Sequence, residues 1–407
     1  MDLVEIKSKI SSSGSPSNSE MKFETLSFDE LKTRSEIDGF AKVVLKALLL
    51  NFDSEIPLYI HQFQALHALA QGKDVLLTTA CGSGKTRVLL NAPMVVKLGF
   101  ELRCEISESS EDNPLGIVCC PLSSIMEDKI NDCPNSGFLT MYGNCKTASS
   151  GGSDEEVSLS GIEEEFLSDK LSLIFGHPES FATKLGKKIL EANEKRIFVY
   201  VTDEVGFNIW GNDFRLLMSS IPGSIRVFTT SNAPMLCMSA TVGKQEQRKI
   251  LSDLGMVHRK FVVIESNPVM DHIFLAKFRR PSNQKGFYEE GGLAEILDKL
   301  FLDEFFNDPD NCLSTIIFCK SEDDIVKIYQ HVEEEIGNQF QDMKKRPWVQ
   351  YHSSTGQKTL KWIHHRMKSS ENPIKLIIST YKLVMGVDCP SLDLAIFLRY
   401  TFPSSFK

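Results

Sequence analysis

A chain of 407 residues has room for two or three domains, and 42% hydrophobic residues supply each with an apolar core. Its net charge of −9 excludes a global electrostatic footprint for nucleic acid, so any such contact falls to a local groove. Ten cysteines without a CxxC pair give no support for zinc, and no signal-peptide core or apolar run of about 18 residues marks export or a membrane span.

Residues 1–26, with the run SSSGSPSNSE, are predicted to be a disordered tail. From Phe28 the apolar residues fall at helical spacing behind Ser27, a good N-cap. Tyr59-Ile-His-Gln-Phe-Gln64 then leads into a helix ending near Gly72. Gln64, upstream of the next strand, suits the reading of an adenine edge, because one amide both donates and accepts.

Asp74 to Thr86, DVLLTTACGSGKT, is the stretch around which the chain is organised. Val75 to Thr78 read as a buried strand; Gly82, Ser83 and Gly84 form a loop able to expose backbone N–H groups; Arg87 to Asn91 begin a helix. Strand, glycine loop and helix N-terminus together cradle phosphates. Lys85 is expected to reach the β- and γ-phosphates of ATP and Thr86 to hold Mg²⁺. The strict pattern places glycine at Thr79, one mismatch.

Two polar insertions, Glu105–Asn113 and Thr147–Glu165, read as surface loops. Between and after them lie apolar strands at Gly116–Pro121 and Leu171–Phe175, and Cys119 and Cys120 are expected to be buried thiols. Ile197–Thr202 is a further buried strand that delivers Asp203 and Glu204 at its C-terminal end, where open α/β sheets bind ligands. Asp203 suits the Mg²⁺ shell, and Glu204 the orientation or deprotonation of an attacking water. Met235–Thr241 ends in Ser239-Ala-Thr241, two hydroxyls that can link the acidic pair to a moving loop. A boundary is expected near 267–281, giving an ATP-binding domain over 27–270 and a second over 271–407. The second half repeats the theme, with strands at Ser314–Cys319, Val349–His352, Lys375–Thr380 and Leu394–Arg399. The fold class is therefore α/β: tandem RecA-like domains with parallel sheets, the second incomplete.

In order along residues 57–406, these blocks resemble the RecQ family of ATP-dependent DNA helicases, in superfamily 2, where the Thr79 position is commonly relaxed. The most specific block is Asp203–Arg215, DEVGFNIWGNDFR, similar to the family's acidic box and aromatic-rich loop. The resemblance implies that Trp210, Phe214 and Arg215 sense single-stranded DNA, the rings by stacking on bases and the arginine by pairing with phosphate. CCPLSSIMEDKI resembles a segment lining the DNA path, which brings in Pro121, Leu122 and Ser123; GHPES, 176–180, is similar to another. IIFCKS and YHSST resemble second-domain strands, and STYKLVMGVDCPSL implies that Gly386 and Asp388 approach the nucleotide. The implied activity is ATP-driven 3′–5′ translocation on single-stranded DNA, and separation of duplexes with single-stranded tails, in DNA repair or recombination. Ser239 and Thr241 would couple the steps.

Three departures stand out. The box reads Asp203-Glu-Val-Gly206 rather than DEAH; Lys382-Leu-Val384 replaces Ala-Phe-Gly; and the chain ends at Lys407, ahead of the family's arginine motif QxxGRxGR. An arginine finger is typically worth about 10³–10⁵ in rate, so a module that binds ATP and DNA with impaired turnover is the alternative expectation. A genome-acting enzyme with Lys344-Lys-Arg346 is expected in the nucleus, with the cytoplasm as the fallback.

Overall fold

The structure is a computed structural model. It describes residues 23–51, 57–104, 113–120, 126, 135–139, 145–147, 159–168, 170–206, 232–240, 242–266, 276, 286–290, 292–342, 345–352, 354–368, 374–380 and 392–398. The chain divides into two compact units, one within 20–270 and the other within 271–407.

The first unit opens with a two-residue strand, β1 (Thr25–Leu26), paired antiparallel with β2 (Leu58–Tyr59). Of the expected tail, Phe23 to Leu26 are placed, and residues 1–22 lie outside the described residues. The single helical pattern after Ser27 resolves into α1 (Phe28–Ile37) and α2 (Gly39–Leu50). Ser27 closes a capping box with Glu30, and Asp38 breaks the run by capping α2 through Phe40 N and Ala41 N. Next come α3 (Ile60–Ala70), β3 (Asp74–Thr78) and α4 (Lys85–Cys104).

The main sheet then adds β4 (Leu115–Cys119), β5 (Ser136–Leu139), β6 (Cys145–Thr147), β7 (Leu173–Gly176), β8 (Ile197–Thr202), β9 (Met235–Ser239) and β10 (Phe261–Glu265). Its order is β10-β3-β9-β8-β4-β7-β5-β6, parallel except for β6, which runs against β5. Every residue of β3, β4 and β9 is buried, as strands covered on both faces require. Sequence neighbours β3 and β4 are separated in space by β9 and β8. In open α/β sheets, ligands bind outside the C-terminal strand ends where the strand order reverses in this way. The insertion expected to be loop over 147–165 contributes α5 (Leu159–Leu167), whose Phe166 is buried in the core. Cys119 and Cys120 are both buried, and burial pushes the Cys119 thiol far above its ordinary value.

The second unit is a four-stranded, all-parallel sheet in the order β12-β13-β11-β14. The strands are β11 (Thr315–Phe318), β12 (Trp348–Tyr351), β13 (Leu376–Ser379) and β14 (Leu394–Phe397). Phe301, Phe305, Ile317, Ile328, Trp348 and Ile378 form its core.

Candidate nucleotide-binding site

The site grows out of the end of β3. Thr79 N donates to Ser239 O at 3.1 Å, continuing the ladder with β9 one residue into the loop. The chain then turns through Gly82 and Gly84, at φ 76° and 74°, values that side chains with a Cβ rarely adopt. Thr79 occupies the mismatch position productively. Its Oγ1 lies 2.7 Å from Ser83 Oγ, and this hydroxyl pair closes the loop internally. Lys85 folds back along the loop, its Nζ donating to Thr79 O and Ala80 O, each at 3.0 Å. An ammonium held by two neutral carbonyls inside such a loop is poised to exchange them for phosphate oxygens.

The side chain that braces this loop from outside is Gln62. Its Oε1 accepts from Tyr59 N at 2.9 Å, while Nε2 donates to Gly84 O at 3.0 Å and Ser83 O at 3.3 Å. A Cβ on Gly84 would stand 2.3 Å from that Nε2, so the glycine makes room for the amide. Gln64, the expected glutamine, is exposed on the helix, and the position against the loop belongs to Gln62. His61, also unforeseen, is buried with Nε2 2.9 Å from Ser83 O.

Asp203 lies beyond β8, buried at 3% exposure, with its N–H donated to Cys119 O at 2.9 Å. Glu204 follows in a left-handed conformation, φ 48°, and Val205 N donates to Met238 O at 2.9 Å. The unusual backbone of Glu204 is thus anchored on both sides, to β4 and to β9. Ser239 lies at the end of β9, opposite Thr78 in register. Its hydroxyl is fully buried, with no hydrogen-bond partner among the described residues.

These residues fit a triphosphate with Mg²⁺. The orphaned Ser239 hydroxyl sits at the strand edge shared by Asp203 and the loop, and Thr86 and Asp203 offer the hard oxygen ligands the cation takes. Gly82, Ser83, Gly84, Asp203, Glu204 and Ser239 lie at or just beyond the adjoining C-terminal ends of β3, β9 and β8, and Lys85 and Thr86 begin the helix that follows β3. Thr241, Pro121, Leu122, Ser123, Trp210, Phe214, Arg215, Gly386 and Asp388 lie outside the described residues.

A family model described as DEAD/DEAH box helicase matches residues 59–250, from the start of the helix that carries Gln62 to beyond Ser239. Residues 59–250 are a DEAD/DEAH box helicase domain. This helicase domain excludes β1 and the edge strand β10. The chain is 25% identical over 341 residues to ATP-dependent DNA helicase Q1 of Pongo abelii, covering 82% of this chain and 45% of the relative. It is 22% identical over 346 residues to ATP-dependent DNA helicase Q-like 2 of Arabidopsis thaliana, covering 83% and 42%. The chain thus spans less than half the length of these curated relatives. Among solved structures it resembles the DUF1998 helicase MrfA bound to DNA and AMPPNP, with a TM-score of 0.61 at 15% identity, over 98% of this chain and 51% of that one. It also resembles Mss116p bound to ssRNA and AMP-PNP, with a TM-score of 0.56 at 16% identity, over 94% and 70%. The likeness establishes the fold: α/β units with parallel sheets, as in tandem RecA-like helicase domains. Among the described residues no helix is long and apolar enough to cross a membrane.

Proposed function

We propose that this chain is the motor part of an ATP-dependent DNA helicase of RecQ type. The observation that carries the reading is the position of Lys85, held on the Thr79 and Ala80 carbonyls at 3.0 Å within a loop that Gln62 braces from behind. Lys85 and the loop N–H groups bind the phosphates, and Thr86 and Asp203 hold Mg²⁺, which neutralises charge on the phosphates when bound. Glu204, fixed by backbone bonds on both sides, orients and deprotonates the attacking water. Ser239 and Thr241 pass the state of that site to the rest of the chain. Trp210, Phe214 and Arg215, with Pro121, Leu122 and Ser123, hold single-stranded DNA, and Gly386 and Asp388 are nucleotide-binding residues. Relatives that align with about four-fifths of the chain are named DNA helicases, which supports DNA over RNA as the track.

The direction, 3′ to 5′, and a role in nuclear DNA repair or recombination belong to the same proposal. Strand separation on duplexes with a 3′ tail, a 5′ tail or an RNA tail tests it. ATP-dependent opening of the 3′-tailed DNA alone is expected. Equal opening of the RNA-tailed duplex, or opening from the 5′ tail, contradicts it.

A further inference from the structure

One aromatic side chain from outside the helicase domain reaches the support of the nucleotide loop. Phe23, just before β1, has its ring centroid 4.9 Å from that of Tyr59 and 5.1 Å from that of His61. Tyr59 and His61 are stacked, 5.5 Å apart with planes 23° from parallel. The backbone holds this arrangement: Thr25 pairs with Tyr59, Leu26 with Leu58, and Ile60 N donates to Glu24 O at 2.9 Å.

His61 is only 7% exposed, and its Nε2 lies 2.9 Å from Ser83 O. A carbonyl oxygen only accepts, so Nε2 carries the proton. Burial pushes the imidazole's pKa down against the pull of that carbonyl, and the Lys85 charge pushes the same way, so the donor is neutral. It adds no cation to the loop and removes none. Its effect lies in the peptide plane. The C=O and N–H of one trans peptide point in opposite directions. A Ser83 carbonyl drawn toward α3 therefore turns the Gly84 N–H away from α3, onto the side an anion must occupy if the loop cradles one.

We infer that His61 is a positioning residue of the nucleotide loop, seated by Phe23 and Tyr59, whose Nε2–H fixes the Ser83–Gly84 peptide so that the Gly84 N–H faces the triphosphate. The inference rests on the reading of this loop as an ATP site, and it extends that site to a segment upstream of the helicase domain. His61→Phe keeps a ring in the stack and deletes the donor; His61→Gln restores an N–H of similar reach.

Binding of a fluorescent ATP analogue to the full chain with Mg²⁺ measures the effect, with the nucleotide-free melting point of each variant as the control for folding. His61→Phe is expected to weaken binding about three- to tenfold, the worth of one hydrogen bond, and His61→Gln to recover most of it. In steady-state hydrolysis the same factor should appear in KM, with kcat within about twofold. Phe23→Ala, which leaves the donor but removes a wall of its seat, is expected to weaken binding too. Wild-type affinity in His61→Phe or Phe23→Ala, or His61→Gln as weak as His61→Phe, overturns the inference. Failure of the wild type to bind the analogue refutes the ATP reading itself, a different result.

Discussion

Asp74 begins the strand that carries the nucleotide loop, and its carboxylate is wholly buried. Oδ1 accepts from Met235 N, the first residue of β9, at 2.9 Å, and Oδ2 lies 3.4 Å from Arg259 Nε. One side chain thus ties β3 to β9 and to the turn before β10. Asp74→Ala leaves the Met235 N–H without this acceptor, and stranding a buried donor costs about 1–3 kcal/mol. The ion pair adds less. Arg259 is partly exposed and keeps its bonds to Asn232 at 2.7 and 2.9 Å, so its share is about 1 kcal/mol at most. A total of about 1–4 kcal/mol lowers the melting point of the first unit by about 2–16 °C for a unit of its size. Asp74→Asn keeps an acceptor and loses only charge, so about 1 kcal/mol or less is expected. Thermal unfolding followed by circular dichroism reads both variants. An Asp74→Ala melting point within about 1 °C of wild type would refute the anchoring role, and Asn as damaging as Ala would refute the division between acceptor and charge.

Gly84→Ala should fail at the loop for two separable reasons. A left-handed backbone with a Cβ costs about 1–2 kcal/mol, and the new Cβ displaces Gln62 from Ser83 O and Gly84 O. Loss of ATP-analogue binding of at least about tenfold is expected by titration, and unchanged affinity contradicts the packing described. Stability should also depend on pH through His61. Its folded pKa is lowered by burial, so the contribution is complete above the ordinary value of about 6.5. It is lost as pH falls from there through the folded value, because the unfolded chain takes up the proton first. Melting points from pH 8 to about 5 should fall less steeply in His61→Phe than in wild type, and parallel slopes would count against a buried neutral imidazole.

The loop at 79–86 could be read in the sequence because its chemistry is local: strand, glycines, lysine and threonine are consecutive. The acidic pair was legible for the same reason, since Ile197–Thr202 is apolar on both faces and ends at Asp203. The glutamine singled out in the sequence is Gln64, whereas the side chain against the loop is Gln62. Two residues apart on a helix, they face opposite ways, and the chain's own signal lay in register: Gln62 shares a face with buried Ala65, Leu66 and Leu69. The break at Asp38 was hidden because apolar periodicity runs on through it, and the capping of Phe40 N and Ala41 N shows where α2 begins. The seat of His61 could not be read at all, since Phe23 reaches it through a pairing of β1 with β2 across more than thirty intervening residues.

The central claim is that the Lys85 loop turns over ATP in response to DNA. Its most direct test is ATP hydrolysis by the 407-residue chain, with and without single-stranded DNA, beside Lys85→Ala and Glu204→Gln. Hydrolysis stimulated by DNA is expected in the wild type and reduced to background in both variants. Wild-type turnover equal to that of Lys85→Ala, with or without DNA, would contradict it.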